Sequence, residues 1–230
     1  MKQNNTQKLV IFDCDGTLVD SARVHIEAMS MAWLAEGLGT PPSGDLIRSI
    51  VGLELVEGIS RLHLDGDRDS HQRLADYYKE GYFKIRNSYE CQEPLYDGAR
   101  EAIEALHGAG VYLGIATGKS RRGLEALLAR HDLLGWFVSL KTSDDGPGKP
   151  NPAILIDAMN ELGVEPKDTV MIGDTVFDMH MASNGNVTAI GVKWGYHDVT
   201  ELNLAGATII LTSFSELNGA LETIWSRLRR

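Results

Sequence analysis

Asp13 and Asp15 stand one residue apart in the stretch LVIFDCDGTLVDS, directly after the apolar run Leu9 to Phe12. Two carboxylates this close repel each other, and each loses hydration when a site closes over it. A metal ion or a reacting group makes such a placement tolerable. A solvated turn explains it equally well, since Asp-Gly is a common turn dipeptide. The stretch alone leaves both readings open. Three other apolar runs also lead into groups suited to phosphate and a divalent metal. IATGKS brings Thr117 and Gly118, then Lys119 and a helix-cap candidate, Ser120. The loop KTSDDGPGKPNP after GWFVSL carries Lys149, and TVMIGD ends at Asp174 with Asp178 four residues on.

The elements that must position these groups follow from periodicity. KLVIFD, VYLGIATG, GWFVSL, TVMIGD, VTAIGV and ATIILT are apolar on both alternations, as strands of a parallel sheet covered on both faces are. Helical stripes lie between them. Ala99, Ala102, Ile103 and Leu106 form one, and Ile154, Leu155, Ala158, Met159 and Leu162 another, with Asn151 as its cap before Pro152. The alternation predicts an α/β, doubly wound (Rossmann-like) parallel sheet. Ligands of such a sheet bind beyond the carboxyl ends of its strands, where the four polar groups collect.

One region breaks the alternation. Residues 21–88 show helical patterns and no strand, which predicts an inserted all-helical cap domain. The α/β core domain is then residues 1–20 and 89–230. Because the insertion follows directly on the two acids, it hangs over them. Leu74, Tyr77, Tyr78, Tyr82 and Ile85 share one helical stripe, and that spacing predicts packing rather than a stacking platform.

Composition excludes several partners. The net charge of −10 argues against nucleic acid and against an anionic membrane surface. It leaves a small phosphorylated substrate open, because a local site can be positive on a negative protein. Cys14 and Cys91 cannot form a disulfide framework, and the polar start of the chain precedes an apolar run too short to span a membrane. A reducing cytoplasm is the expected location. Cys14, with no histidine near it in sequence, reads as a small buried residue.

With these residues in hand, the chain resembles the haloacid dehalogenase superfamily. DCDGTLVDS, IATGKS, GKPNP and GDTVFDM are similar to its four ordered motifs. Within it, the chain resembles phosphoglycolate-phosphatase-like members with a helical cap after the first motif. The resemblance implies a Mg²⁺-dependent phosphomonoester hydrolase acting on a small phosphorylated metabolite, with phosphoglycolate the leading substrate. Asp13 matches the nucleophile that forms an aspartyl phosphate, and Asp15 the general acid and base. Gly16, Thr117, Gly118 and Lys149 match the groups around the phosphate. Asp13, Asp15 through its backbone carbonyl, Asp174 and Asp178 match the metal site, Asp178 there or one layer behind it.

Other residues read more plainly. Lys119 is expected at the surface, Asp144 and Asp145 as solvated loop acids, and His180 as a packing or surface residue. Trp194, Tyr196 and His197 are expected in packing or at the site rim. Arg48 is the cap residue proposed to reach the substrate. Asp15 and Asp174 favour phosphoryl transfer over carbon–halogen cleavage. Lys79 and Lys84, on a charged helix, give no sign of a buried Schiff-base lysine. A receiver domain would lack the insertion. A sugar phosphomutase using the same phosphoenzyme remains the alternative, and the expected assembly is a monomer or homodimer.

Overall fold

The computed structural model describes residues 6–86, 88 and 93–227, so Cys91 and the expected return to the core at residue 89 lie outside the described residues. These form a six-stranded parallel sheet in the order β3-β2-β1-β4-β5-β6. The strands are β1 (Leu9–Phe12), β2 (Tyr112–Ala116), β3 (Ser139–Lys141), β4 (Thr169–Gly173), β5 (Thr188–Val192) and β6 (Ile209–Leu211). Chain order turns outward from β1 in both directions, so β1, β2 and β4 meet at the centre.

β1 shows why the strands read as unbroken apolar runs. Val10 and Phe12 face one layer, built on Ile103 and Leu106 of α5 (Ala99–Gly108), Leu124 and Leu127 of α6 (Arg121–Arg130), and Leu221 of α10 (Leu217–Arg227). Leu9 and Ile11 face the other, built on Leu155 and Met159 of α7 (Ala153–Leu162), Met179 of α8 (Val176–Asn184), and Leu202 of α9 (Val199–Leu204). A side chain buried this completely contributes about 1.5–3 kcal/mol, so truncation of Phe12 would cost about 3–5 kcal/mol. GWFVSL yields a shorter strand than its pattern suggests: Leu134–Trp136 is a 3₁₀ turn, where Trp136 Nε1 donates to Asp132 O (3.1 Å). Pro152 stands at the cap position of α7, and Asn151 before it satisfies the helix's first amide, its Oδ1 accepting from Ala153 N (2.9 Å).

Between β1 and α5 the described residues form α1 (Ala22–Ala35), α2 (Gly44–Arg48), α3 (Leu55–Leu62) and α4 (Arg68–Arg86), with no strand among them. Met29, Trp33, Ile47, Ile59 and Leu74 give these helices an apolar cluster of their own, which also takes in Phe177 of α8. The chain leaves and re-enters the sheet side by side, with Asp20 N donating to Pro94 O (2.9 Å) and Tyr96 N to Leu18 O (3.0 Å). Leu53 and Glu54 lie against Gly118 and Gly148, which sets the helices over the strand ends. Among the described residues, no helix is long and apolar enough to cross a membrane.

Candidate active site

Asp13, Thr117 and Asp174 are the first residues beyond β1, β2 and β4, so the sheet delivers all three to one point. Asp13 Oδ1 pairs with Lys149 Nζ at 2.7 Å, and Lys149 pairs with Asp178 Oδ1 at 2.6 Å. Asp178 Oδ2 accepts from Thr175 N (3.1 Å) and Thr175 Oγ1 (2.7 Å), closing the capping box of α8. Asp174 Oδ1 accepts from Thr17 Oγ1 (2.8 Å) and its Oδ2 from Tyr196 N (2.9 Å). Gly16, at φ +81°, passes so close that a Cβ there would overlap the Asp174 carboxylate. Its absent side chain is what lets the first and fourth strand ends share a site.

The cluster carries more negative than positive charge. Asp13, Asp174 and Asp178 each present an oxygen within 4.8 Å of the others, against one lysine. Burial, with Asp178 adding to it and Lys149 opposing, pushes Asp13 up to about 7. Burial and the charges of Asp13 and Asp178 raise Asp174 well above the carboxylate range. A hard divalent cation would relieve this excess, and the all-oxygen donor set suits one.

Asp15 has the opposite surroundings. Its Oδ1 accepts from Ser21 Oγ (2.6 Å), pairs with Lys119 Nζ (2.9 Å) and faces His25 Nε2 (3.4 Å). Burial works against its charge, but Lys119, then His25, outweigh it and hold the carboxyl well below the usual range. Lys119 therefore corrects its expectation: it is buried, and its Nζ also donates to Tyr82 Oη (2.7 Å). Burial alone would drive its proton off, yet Asp15, Cys14 and Glu93 raise its pKa, so it stays an ammonium rather than a Schiff-base amine. Tyr78 and Tyr82 depart from simple packing too. α4 crosses α1 so that Tyr78 Oη meets His25 Nδ1 (2.5 Å), while Tyr82 Oη donates to Glu93 Oε1 (2.8 Å).

Both acids open into a cavity of about 670 Å³ whose wall includes Thr117, Gly118, Lys119 and the two tyrosines. Lys79, Arg86, Arg122 and Arg130 also line it. Arg48 is not among the lining residues; it pairs with Asp45 one turn earlier in α2. The remaining residues take quieter places. Cys14 is buried in the core, and burial raises its thiol pKa. Asp144 lines the cavity rim and Asp145 pairs with Arg121 (2.9 Å). His180, Lys79 and Lys84 are exposed. Trp194 packs on Tyr96 and Phe214 and donates Nε1 to Thr17 O (3.1 Å), while the His197 ring lies against Phe177.

Sequence reasoning missed Ser21, His25, Lys119, Tyr82, Glu93 and the Tyr196 amide. Only Ser21, six residues from Asp15, carried a local signal. The others reach Asp15, its partners or Asp174 through helix crossing and strand order.

The comparisons agree with this geometry. Residues 7–186 match the family model for haloacid dehalogenase-like hydrolases. A probable phosphatase, IndB of Dickeya dadantii, is 31% identical over 94% of each chain. The phosphoglycolate phosphatase of Vibrio parahaemolyticus is 28% identical over 91% of this chain and 94% of its own. The crystal structure of a predicted phosphatase from Clostridium acetobutylicum superposes with a TM-score of 0.84 at 27% identity, covering 95% of this chain and all of that one. This chain is thus an enzyme of the haloacid dehalogenase-like hydrolase family, among relatives named as phosphatases.

Proposed function

We propose that this hydrolase is a Mg²⁺-dependent phosphatase that cleaves a small phosphomonoester through an aspartyl phosphate on Asp13. The observation that carries the reading is the pair of differently held aspartates opening into one cavity. Asp13 attacks phosphorus, forming the Asp13 Oδ–P bond as the bond to the leaving oxygen breaks. Lys149, the Thr117 hydroxyl and the Gly118 amide hold the phosphoryl oxygens. Asp15 gives its proton to the leaving alkoxide, then takes one from the water that attacks the phosphorus of the aspartyl phosphate. An incoming phosphate brings negative charge beside Asp15, which favours its protonated form in the complex. Asp13, Asp174 and the Asp15 carbonyl would hold the metal, which neutralises charge on the phosphoryl group. Asp178, with both oxygens engaged, acts behind them by holding Lys149.

Phosphoglycolate is the leading substrate. It is what several relatives are named for, and Lys79 and Arg122 on the cavity wall suit a second anionic group. The helical block caps the site and excludes water, in a cytoplasmic monomer or homodimer. Phosphate release from phosphoglycolate, sugar phosphates and nucleoside monophosphates tests the reading, run with Mg²⁺ and with chelator. Metal-dependent release supports it. Isomerisation of a sugar phosphate without net release would replace it with a phosphomutase.

A further inference from the structure

We propose that the segment Trp194–His197 is a brace that orients Asp174 toward a divalent cation, with Trp194, Gly195 and the Tyr196 amide as its positioning groups. The proposal rests on the metal placement in the reading above. The segment follows β5, the strand beside β4, and so meets the residue that follows β4. Gly195 comes so close that a Cβ on it would stand 2.1 Å from Asp174 Cβ and 2.4 Å from Asp174 Oδ2. Only glycine allows that approach. It brings the next two amides to bear, Tyr196 N donating to Asp174 Oδ2 (2.9 Å) and His197 N to Asp174 O (3.3 Å). The other carboxylate oxygen is held one step further back. Trp194 donates Nε1 to Thr17 O (3.1 Å), and Thr17 Oγ1 donates to Asp174 Oδ1 (2.8 Å). Trp194 is itself fixed by the rings of Tyr96 and Phe214, at centroid distances of 6.1 and 4.7 Å.

The chemistry of these donors separates Asp174 from the other two acids of its cluster. Asp13 and Asp178 both pair with Lys149, whereas among the described residues no lysine or arginine pairs with Asp174. Its partners are a hydroxyl and an amide, which fix a carboxylate in direction without cancelling its charge. Each oxygen accepts one of these bonds, and a carboxylate oxygen has about two lone-pair sites, so both keep room for a cation. Groups that hold a metal ligand from behind in this way are typically worth about 10–100-fold in metal affinity.

Calorimetric titration of the metal-stripped protein with Mg²⁺ separates a brace from ordinary packing. A packing residue changes the metal-free melting temperature and leaves the Kd of the folded protein alone; a brace changes the Kd. Thr17→Val removes the donor to Oδ1 directly and sets the scale, and it should weaken Mg²⁺ binding about 10–100-fold. Gly195→Ala should weaken it by a similar factor. Trp194→Phe keeps an aromatic ring against Tyr96 and Phe214, loses only the Nε1 donor, and should shift the Kd in the same direction by less. Mg²⁺ binding within about twofold of wild type in Gly195→Ala, or in Trp194→Phe where the alanine variant does not fold, would overturn the brace. A wild-type protein that binds no Mg²⁺ would overturn the metal placement and this proposal with it. Weakened binding in the variants of a wild type that releases no phosphate would support the brace and overturn the phosphatase reading.

Discussion

Asp13 and Asp15, separated by Cys14 alone, live in opposite environments. Asp13 shares its pocket with two carboxylates and one lysine, all supplied by the sheet and the loops and helix that follow it. Asp15 sits beside the Lys119 ammonium, the His25 ring and the Ser21 hydroxyl, the histidine coming from the helical block. One pKa is driven up to about 7 and the other held below the usual range. The fold thereby makes two tools from one residue type: a group awaiting a cation, and a group already aimed. Divergent surroundings of paired carboxylates are how acid and nucleophile roles are generally divided.

Removing the carboxylate on the sheet side has the largest expected effect. Asp13→Asn should lower phosphate release by at least about 10³-fold, as loss of a covalent nucleophile does elsewhere, with the melting temperature preserved or raised. A raised Tm is expected because the cluster loses a like charge.

Gly16→Ala breaks the junction between the two halves of the site. A methyl there meets Asp174 and an unfavourable φ of +81°. Destabilisation of about 2 kcal/mol or more, some 4–8 °C in Tm, is expected together with a weakened response to Mg²⁺.

pH sharpens the contrast. Asp13 binds its proton more tightly folded than unfolded, so metal-free stability should fall as pH rises between about 4 and 7. Asp15 has the reverse sign: its contribution is present above about pH 4 and lost below it. Thermal melts at about pH 5.5 and about pH 7.5 should therefore show a declining Tm without metal, and a larger gain from Mg²⁺ at the higher value. A metal-free Tm that climbs across this interval would contradict the charge excess around Asp13.

The smallest effect belongs to Arg48. Its partner Asp45 is largely exposed, and an ion pair of that kind contributes about 0–1 kcal/mol. Arg48→Ala should leave KM for every substrate within about twofold of wild type. A KM rise of tenfold would return Arg48 to the substrate site.

The halves of the site also differ in how readable they were. The sheet side is written locally: each strand is an apolar run, and Asp13, Thr117 and Asp174 are the residues next after it. Gly16 stands beside them for a reason that the structure supplies. The Asp15 side is written across the chain. Lys119 lies 37 residues from Tyr82 and Tyr82 lies 11 from Glu93. Nothing in IATGKS distinguishes a buried lysine from a solvated one until the helices are placed over it. The tyrosine stripe was readable in part: Leu74, Tyr77 and Tyr78 pack in the helical block's apolar cluster as the spacing predicted, but spacing cannot say that Tyr78 and Tyr82 also face a cavity. Arg48 was chosen for its chemistry, and only the course of α2 could show that it points to Asp45.

The most direct test of the central assignment is to look for the phosphoryl group on Asp13. Asp15→Asn lacks the base for the second step, yet p-nitrophenyl phosphate needs no acid for the first, so this variant should trap the intermediate. It would be mixed with that ester and Mg²⁺, quenched in acid and digested for mass spectrometry. The expected result is one added phosphoryl group on the peptide that carries Asp13, absent from Asp13→Asn. An unmodified peptide alongside a burst of p-nitrophenolate, or a phosphoryl group on another residue, would contradict it.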